Sequence, residues 1–350
     1  MKNKFSIVLI LLVLMGIPDS HSLVDPILAP HKFNILSWEL KNLFGRSFQP
    51  VTNDFCLSPT HRLFASQDEG LSKASLDETN RFFTQILEYE IRKNGFETVF
   101  PPVKFIIQSP PKLVIFSPRD KIKLEQTILL NPEVTYEQTI ALEEILEVKT
   151  RKSVLVETLG GLAVYPSIIS NTDYVPYVLN TAAHEWIHHR LFISPLGRRY
   201  FSNGFMKELN ESVAQLAGNE LGNKALLAIS WCSENEVDLI KNDDASVSRM
   251  VLQNIRKEAE TMLRSGEIRE AEDYMEKQRL LLKREGYDIR KLNQAYFAFH
   301  EMYGDSPASI SDTYEHLVNI RAQVGDLKSF IEVVGSIKNE NDFKELVLQY

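Results

Sequence analysis

The stretch Thr181-Ala-Ala-His184-Glu185-Trp186-Ile187-His188-His189 constrains this chain more than any other. The residues around it suit a helix, and in a helix positions i and i+4 share a face. His184 and His188 are therefore expected to point the same way, one turn apart, as two imidazole ligands of one metal ion must. Glu185 stands beside the first imidazole, where a carboxylate can reach water at the metal. His189 falls about 100° round the helix from His188, so a packed or hydrogen-bonded role is expected for it instead. A fold built on this stretch has to bring a third ligand against the same helix face.

Glu208-Leu-Asn210-Glu211-Ser212-Val213-Ala214 offers that ligand, after an interval that leaves room for a loop and a return helix. With these two motifs the chain resembles the gluzincin metallopeptidases, which include thermolysin and aminopeptidase N. Their third ligand is a glutamate written Asn-Glu-x-x-Ala, the form of Asn210 to Ala214. Taken with Leu159 to Pro166, the wider stretch is also similar to a group of bacterial predicted aminopeptidases, loosely so outside residues 150–225. The resemblance implies Zn2+ held by His184, His188 and Glu211, an open position for water, Glu185 as general base, and a peptide or protein substrate. Glu208 and Glu220 are rival third ligands without the motif around them. Gln215, one turn past Glu211, is a candidate hydrogen-bond partner behind a ligand imidazole.

Upstream, Val154 to Thr158 reads as a strand, Gly160-Gly161 breaks it, and Leu162 to Ile169 continues extended. The resemblance implies that an edge strand here, Gly160, Gly161, Leu162 and Ala163, takes the substrate backbone by strand addition. The aminopeptidase N type carries Gly-Ala-Met-Glu-Asn at this place, and its glutamate holds the substrate's amino group. This chain has Gly160-Gly161-Leu162-Ala163-Val164 and lacks that glutamate, so exopeptidase and endopeptidase action are both open. Glu157 is the replacement candidate; a solvated strand residue is its plain alternative. The family also uses a tyrosine or histidine against the oxyanion. Tyr296, His300 and Tyr303 share one helical face and are the candidates, with an aromatic core stripe as the other reading.

Elsewhere the period of apolar residues sets the elements. Helical spacing is expected over 31–44, 76–95 and 136–148, and strands over 103–107, 113–116 and 122–130, the last two as an antiparallel hairpin. Two site helices are expected over 176–193 and 205–221, with Gly222 as the stop of the second. Residues 245–286 read as a solvated helical hairpin turning at Ser265-Gly266, with further helices at 289–302, at 311–324 and from Asp326. The fold class is α+β: a small antiparallel sheet, then a mostly helical zincin-like region and a helical C-terminal part. The expected segments are 1–22, 23–100, 101–235 (catalytic) and 236–350.

Lys2 and Lys4 precede an apolar run from Phe5 to Ile17, which predicts export. Residues 5–17 then act as a cleaved signal or as a membrane attachment, and the body is extracytoplasmic. The net charge of −8 lacks the basic balance of a nucleic-acid binder, so no nucleic-acid partner is expected. Cys56 and Cys232 are too few for a disulfide framework. A rival to the enzyme reading is an extracytoplasmic binding or scaffold protein that keeps the metallopeptidase fold without turnover.

Overall fold

The computed structural model describes residues 24–43, 73–172, 174–230 and 247–350. The apolar run over 5–17, both cysteines and most of the loop expected over 50–75 lie outside them. No helix among the described residues is long and apolar enough to cross a membrane.

The described residues open with short helices α1 (Asp25–Leu28) and α2 (Ile35–Leu43), followed by the longer α3 (Lys73–Lys93). Gly95, at φ +98°, turns the chain after α3. That left-handed conformation suits a residue without Cβ. The α+β class is as expected, but the strands divide into two sheets. β2 (Lys112–Ser117) pairs antiparallel with β3 (Gln126–Leu130), the expected hairpin, and on its other side with β4 (Ser153–Thr158). β1 (Phe105–Ile107) leaves that group and pairs parallel with β6 (Ser167–Ile169), whose other side carries β5 (Gly161–Leu162). Apolar runs this short are compatible with either partner, and register against distant residues makes the choice. The extended run expected from Leu162 to Ile169 is in fact a hairpin, turning at residues 163–166.

The β3-β2-β4 sheet is covered on both faces, and its alternation shows this. Ile115 and Leu155 point into a cluster with α8 (Arg249–Arg264), α9 (Ile268–Arg284) and α10 (Gln294–His300). Val114, Phe116, Val154 and Val156 point the other way, against Leu142 and Leu146 of α4 (Tyr136–Thr150). Thr135 and Gln138 cap α4 reciprocally, satisfying backbone N–H groups that the first turn leaves free.

The largest core surrounds two crossing helices, α5 (Val175–Phe192) and α7 (Gly204–Ser230). Pro176 starts α5, where a missing N–H costs nothing. After α5 come the single turn α6 (Pro195–Arg198) and a loop; Asn203 Oδ1 then accepts from Met206 N–H at 2.8 Å, at the start of α7. Gly222 does not stop α7, which runs on to Ser230. A Cβ on Gly222 would fall 2.6 Å from Asn180 Cα, and one on Gly218 would fall 2.7 Å from His184 Cα. Both glycines are crossing points that bring α7 against the backbone of α5. Trp186 is buried, donates from Nε1 to Pro101 O at 2.7 Å, and meets Phe96 edge-on. It fixes the rotation of α5, which decides where the imidazoles two residues to either side point. Helices α11 (Thr313–Gln323), α12 (Leu327–Gly335) and α13 (Glu340–Gln349) supply Leu317, Phe330 and Phe343 to the same core.

Candidate metal centre

α5 contributes His184 and His188, and α7 contributes Glu211, where the two helices pack side by side. His184 Nε2 and His188 Nε2 are 3.0 Å apart, and Glu211 Oε2 lies 3.5 Å from the first and 3.3 Å from the second. Ligand atoms about 2.0–2.1 Å from a tetrahedral ion sit about 3.3–3.4 Å from one another, so the three atoms have the spacing of one face of such a site. The three residues form the one group of metal-ligating side chains of this kind among the described residues.

The groups behind these atoms fix their orientation. His188 Nδ1 lies 2.8 Å from Asn210 Oδ1. An amide oxygen only accepts, so Nδ1 carries the hydrogen and Nε2 turns its lone pair to the centre. The Tyr200 hydroxyl donates to Glu211 Oε1, leaving Oε2 to face the imidazoles. Burial pushes Glu211 up, yet the two imidazoles overcome it and hold the carboxyl well below the usual range. Burial pushes His188 down, but Glu211, Glu185 and Asn210 raise it to about 9. The centre therefore calls for positive charge, which a proton or a metal dication supplies. A donor set of two imidazoles and one carboxylate fits a first-row divalent metal ion, zinc among them.

Glu185 is buried beside this centre. Burial raises its pKa first, and Glu211 adds to that against the pull of His184 and His188. A Cβ on Gly161 would fall 2.4 Å from Glu185 Oε1 and 2.7 Å from Thr181 Cγ2; one on Gly160 would fall 2.2 Å from the Tyr177 hydroxyl. The two glycines thus let edge strand β5 rest directly on the face of α5 that carries Glu185. Leu162 lies in β5, and Ala163 opens the turn after it.

The other candidates separate. His189 points away: its Nε2 donates to Val164 O at 3.1 Å, it stacks edge-on with Tyr165, and burial pushes it down to about 4. Glu220 is taken by Arg321 and Lys224, and Glu208 faces Ser311 and Thr313. Glu157 sits apart from the centre, in a cavity with Arg290, Lys112 and Tyr296. Of the aromatic trio, only Tyr303 interacts with Glu185 and Glu211. Tyr296 faces Glu157, and His300 packs on Tyr296 with its Nδ1 at 3.2 Å from Ser306 Oγ. The shared face breaks because α10 ends at His300 and Tyr303 lies in the following turn. Gln215 donates to Asn219 Oδ1 at 3.4 Å, not to a ligand imidazole.

Tyr200 and Asn210 hydrogen-bond the candidate ligands Glu211 and His188, a role that motif reading does not single out. Asn210 was visible as a motif letter, with no role attached. Tyr200 stands in a loop, outside any periodic pattern, and only the path from α5 to α7 brings it to Glu211. The chain matches no protein-family model, no curated protein and no solved structure.

Proposed function

We propose that this chain is a zinc-dependent peptidase of the gluzincin type, hydrolysing peptide bonds outside the cytoplasm. The observation that carries the reading is the contact of Gly161 with Glu185: an edge strand lies on a buried carboxylate next to a three-ligand centre. When bound at His184, His188 and Glu211, zinc supplies a Lewis acid that polarises the carbonyl and acidifies water.

The chain's own residues do the rest. The open edge of β5, unpaired by any strand among the described residues, aligns an extended substrate by backbone hydrogen bonds. Glu185 takes one proton from water as its oxygen bonds to the carbonyl carbon. The same carboxyl passes that proton to the departing amine nitrogen as the C–N bond breaks, so atoms and charge balance. The raised pKa of Glu185 suits both roles. Tyr303, facing Glu185 and Glu211, donates its hydroxyl hydrogen to the developing oxyanion. Tyr200 holds Glu211 in its one-oxygen orientation.

The test is metal analysis of the purified chain together with an unbiased peptide digest read by mass spectrometry. About one zinc per chain and defined cleavage products are expected. Zinc without any cleavage would replace this reading with the scaffold alternative. The product ends also decide between exopeptidase and endopeptidase action.

A further inference from the structure

No strand among the described residues pairs with the outer side of β4, and side chains stand in its place. Glu147 Oε1 accepts from Val154 N–H at 3.3 Å, and Asn293 Nδ2 donates to Val154 O at 3.0 Å. Glu143 Oε1 accepts from Val156 N–H at 2.7 Å, and Arg290 Nη2 donates to Val156 O at 2.8 Å. Arg290 and Glu143 also hold each other, with Nη1 and Nη2 at 2.9 and 2.6 Å from the two carboxylate oxygens. Beyond Val156 this plug ends. Glu157 and Thr158 line a cavity of about 350 Å3, near the small end of the range of about 300–1,000 Å3 for small-molecule sites.

The wall carries two charges of opposite sign without ion-pair contacts and one hydroxyl without a partner. Lys112 lies opposite Thr158 in the β2–β4 register and donates one ammonium hydrogen to Val134 O at 2.5 Å. Glu157 stands on the other face of the sheet, beside Tyr296. Among the described residues neither Lys112 nor Glu157 has an ion-pair contact, and Arg290 is engaged by Glu143. Burial pushes the Glu157 carboxyl up, and Arg290 only partly offsets this. Thr139 of α4 lines the same cavity and is 4% exposed, yet its Oγ1 has no hydrogen-bond partner. Helical threonines commonly turn the hydroxyl to the carbonyl four residues back, as Thr84, Thr150 and Thr261 do here. Thr139 forgoes that outlet at the cavity wall.

An anion or a cation would satisfy one of the two charges and be repelled by the other. An uncharged ligand would leave both bare. A ligand with an ammonium and a carboxylate satisfies both through charge-assisted hydrogen bonds. We propose that this cavity binds a small zwitterion, a free amino acid or a short peptide. Lys112 takes its carboxylate, Glu157 takes its ammonium, and the Thr139 hydroxyl adds a hydrogen bond. Neither Glu185 nor any of the three candidate metal ligands belongs to this wall, so the inference does not rest on the proposed function.

Calorimetric titration of the full chain tests this with glycine, 4-aminobutyrate and 6-aminohexanoate, zwitterions of growing charge separation. Each is used free, N-acetylated and C-amidated, and the free forms hold no peptide bond to cleave. Glycine binding best identifies a free amino acid, and a longer probe binding best identifies the two ends of a short peptide. Capping either end of the best probe should weaken it about 10–100-fold, the usual worth of a hydrogen bond to a charged group. Glu157→Gln should lose the preference for the free amine and keep that for the free carboxylate. Lys112→Met should do the reverse, a crossed pattern that a merely structural role would not produce. Thr139→Val should weaken every form about 2–10-fold. Should Lys112→Met not fold, Lys112→Gln gives the same reading, and the capped probes on the parent chain decide by themselves. Absence of binding by all free probes up to about 10 mM overturns the inference. Capped forms that bind as well as the free ones overturn it too. Preferences unchanged in both charge variants would place the binding elsewhere on the molecule, with the same consequence.

Discussion

The α5–α7 crossing and the α8–α9 hairpin are both antiparallel helix pairs, made in different ways. In the hairpin each helix has one apolar stripe, such as Leu252, Ile255, Ala259 and Leu263 on α8, and an outer face of charges. Its turn closes on Gly266 at φ +80°. In the crossing pair, α5 buries Val178, Leu179, Ala182, Ala183, Trp186 and Leu191, which fall on several sides of the helix. Contact there is set by glycines, which let backbone meet backbone. The hairpin is thus a cover with a forgiving interface. The crossing is a scaffold whose geometry is fixed to within the width of a methyl group. The candidate three-ligand centre sits on the second kind, and such a centre tolerates little displacement.

The comparison is sharpened first at the centre itself, where the largest effect is expected. Glu185→Gln should keep zinc and fold while losing about 10²–10⁴ in peptide hydrolysis. Zinc-loaded variant retaining more than about a tenth of parental activity would remove Glu185 from the role of base.

Tyr303→Phe comes next. Loss of one oxyanion donor is typically worth about 10²–10³ in kcat. The KM should change little, and zinc content should hold. A rise in KM alone, with kcat intact, would make Tyr303 a substrate contact and nothing more.

Gly218→Val probes the scaffold directly. Its side chain would press on the His184 backbone, so stability should fall by about 1–3 kcal/mol, the usual cost of overpacking. Zinc affinity should fall with it. Gly266→Ala in the hairpin strains a left-handed turn and should cost about 1 kcal/mol without touching zinc. Denaturant unfolding and metal titration of both variants check the contrast. Equal zinc loss in the two would mean that the crossing and the cover are not distinct in kind.

The smallest effect concerns how α2 is held against the loop after β5. Tyr165 N–H donates to Glu39 Oε1 at 3.3 Å, while Glu39 Oε2 is buried without a partner. Burial, opposed by the Tyr165 bond, raises Glu39 to about 7. The folded state therefore holds this proton more tightly than the unfolded one, whose carboxyl has the ordinary value near 4.5. The linked stability is full below the unfolded pKa and is lost as pH rises towards and through about 7. Glu39→Gln should raise the melting temperature relative to the parent by a few degrees at pH 8 and much less at pH 4. An equal difference at both pH values would show that the folded-state proton is not held.

The helices and the hairpin β2–β3 were legible in the sequence because periodicity and turn residues are local properties. The metal-ligating set was legible for a related reason: a helix converts the spacing of His184 and His188 into a shared face without any help from the fold. Gly222 shows the limit. A glycine near a helix end reads as a stop, but whether it ends a helix or admits a neighbour depends on Asn180, which belongs to the other helix. The split of the strands into two sheets has the same origin, since β1 finds its partner some sixty residues downstream.

By itself the sequence determined the secondary elements, the His184–Glu185–His188 helix face and the Asn210–Glu211 pair on a second helix, all within a few turns of chain. Only the tertiary structure decided that Tyr200 and Tyr303 lie beside them and that Tyr296, Glu157 and Gln215 do not touch the ligands. Those residues are joined by no period and no motif. They meet, or fail to meet, because side-chain packing and glycine contacts between distant segments set where each backbone passes, and proximity of that kind is a property of the closed fold alone.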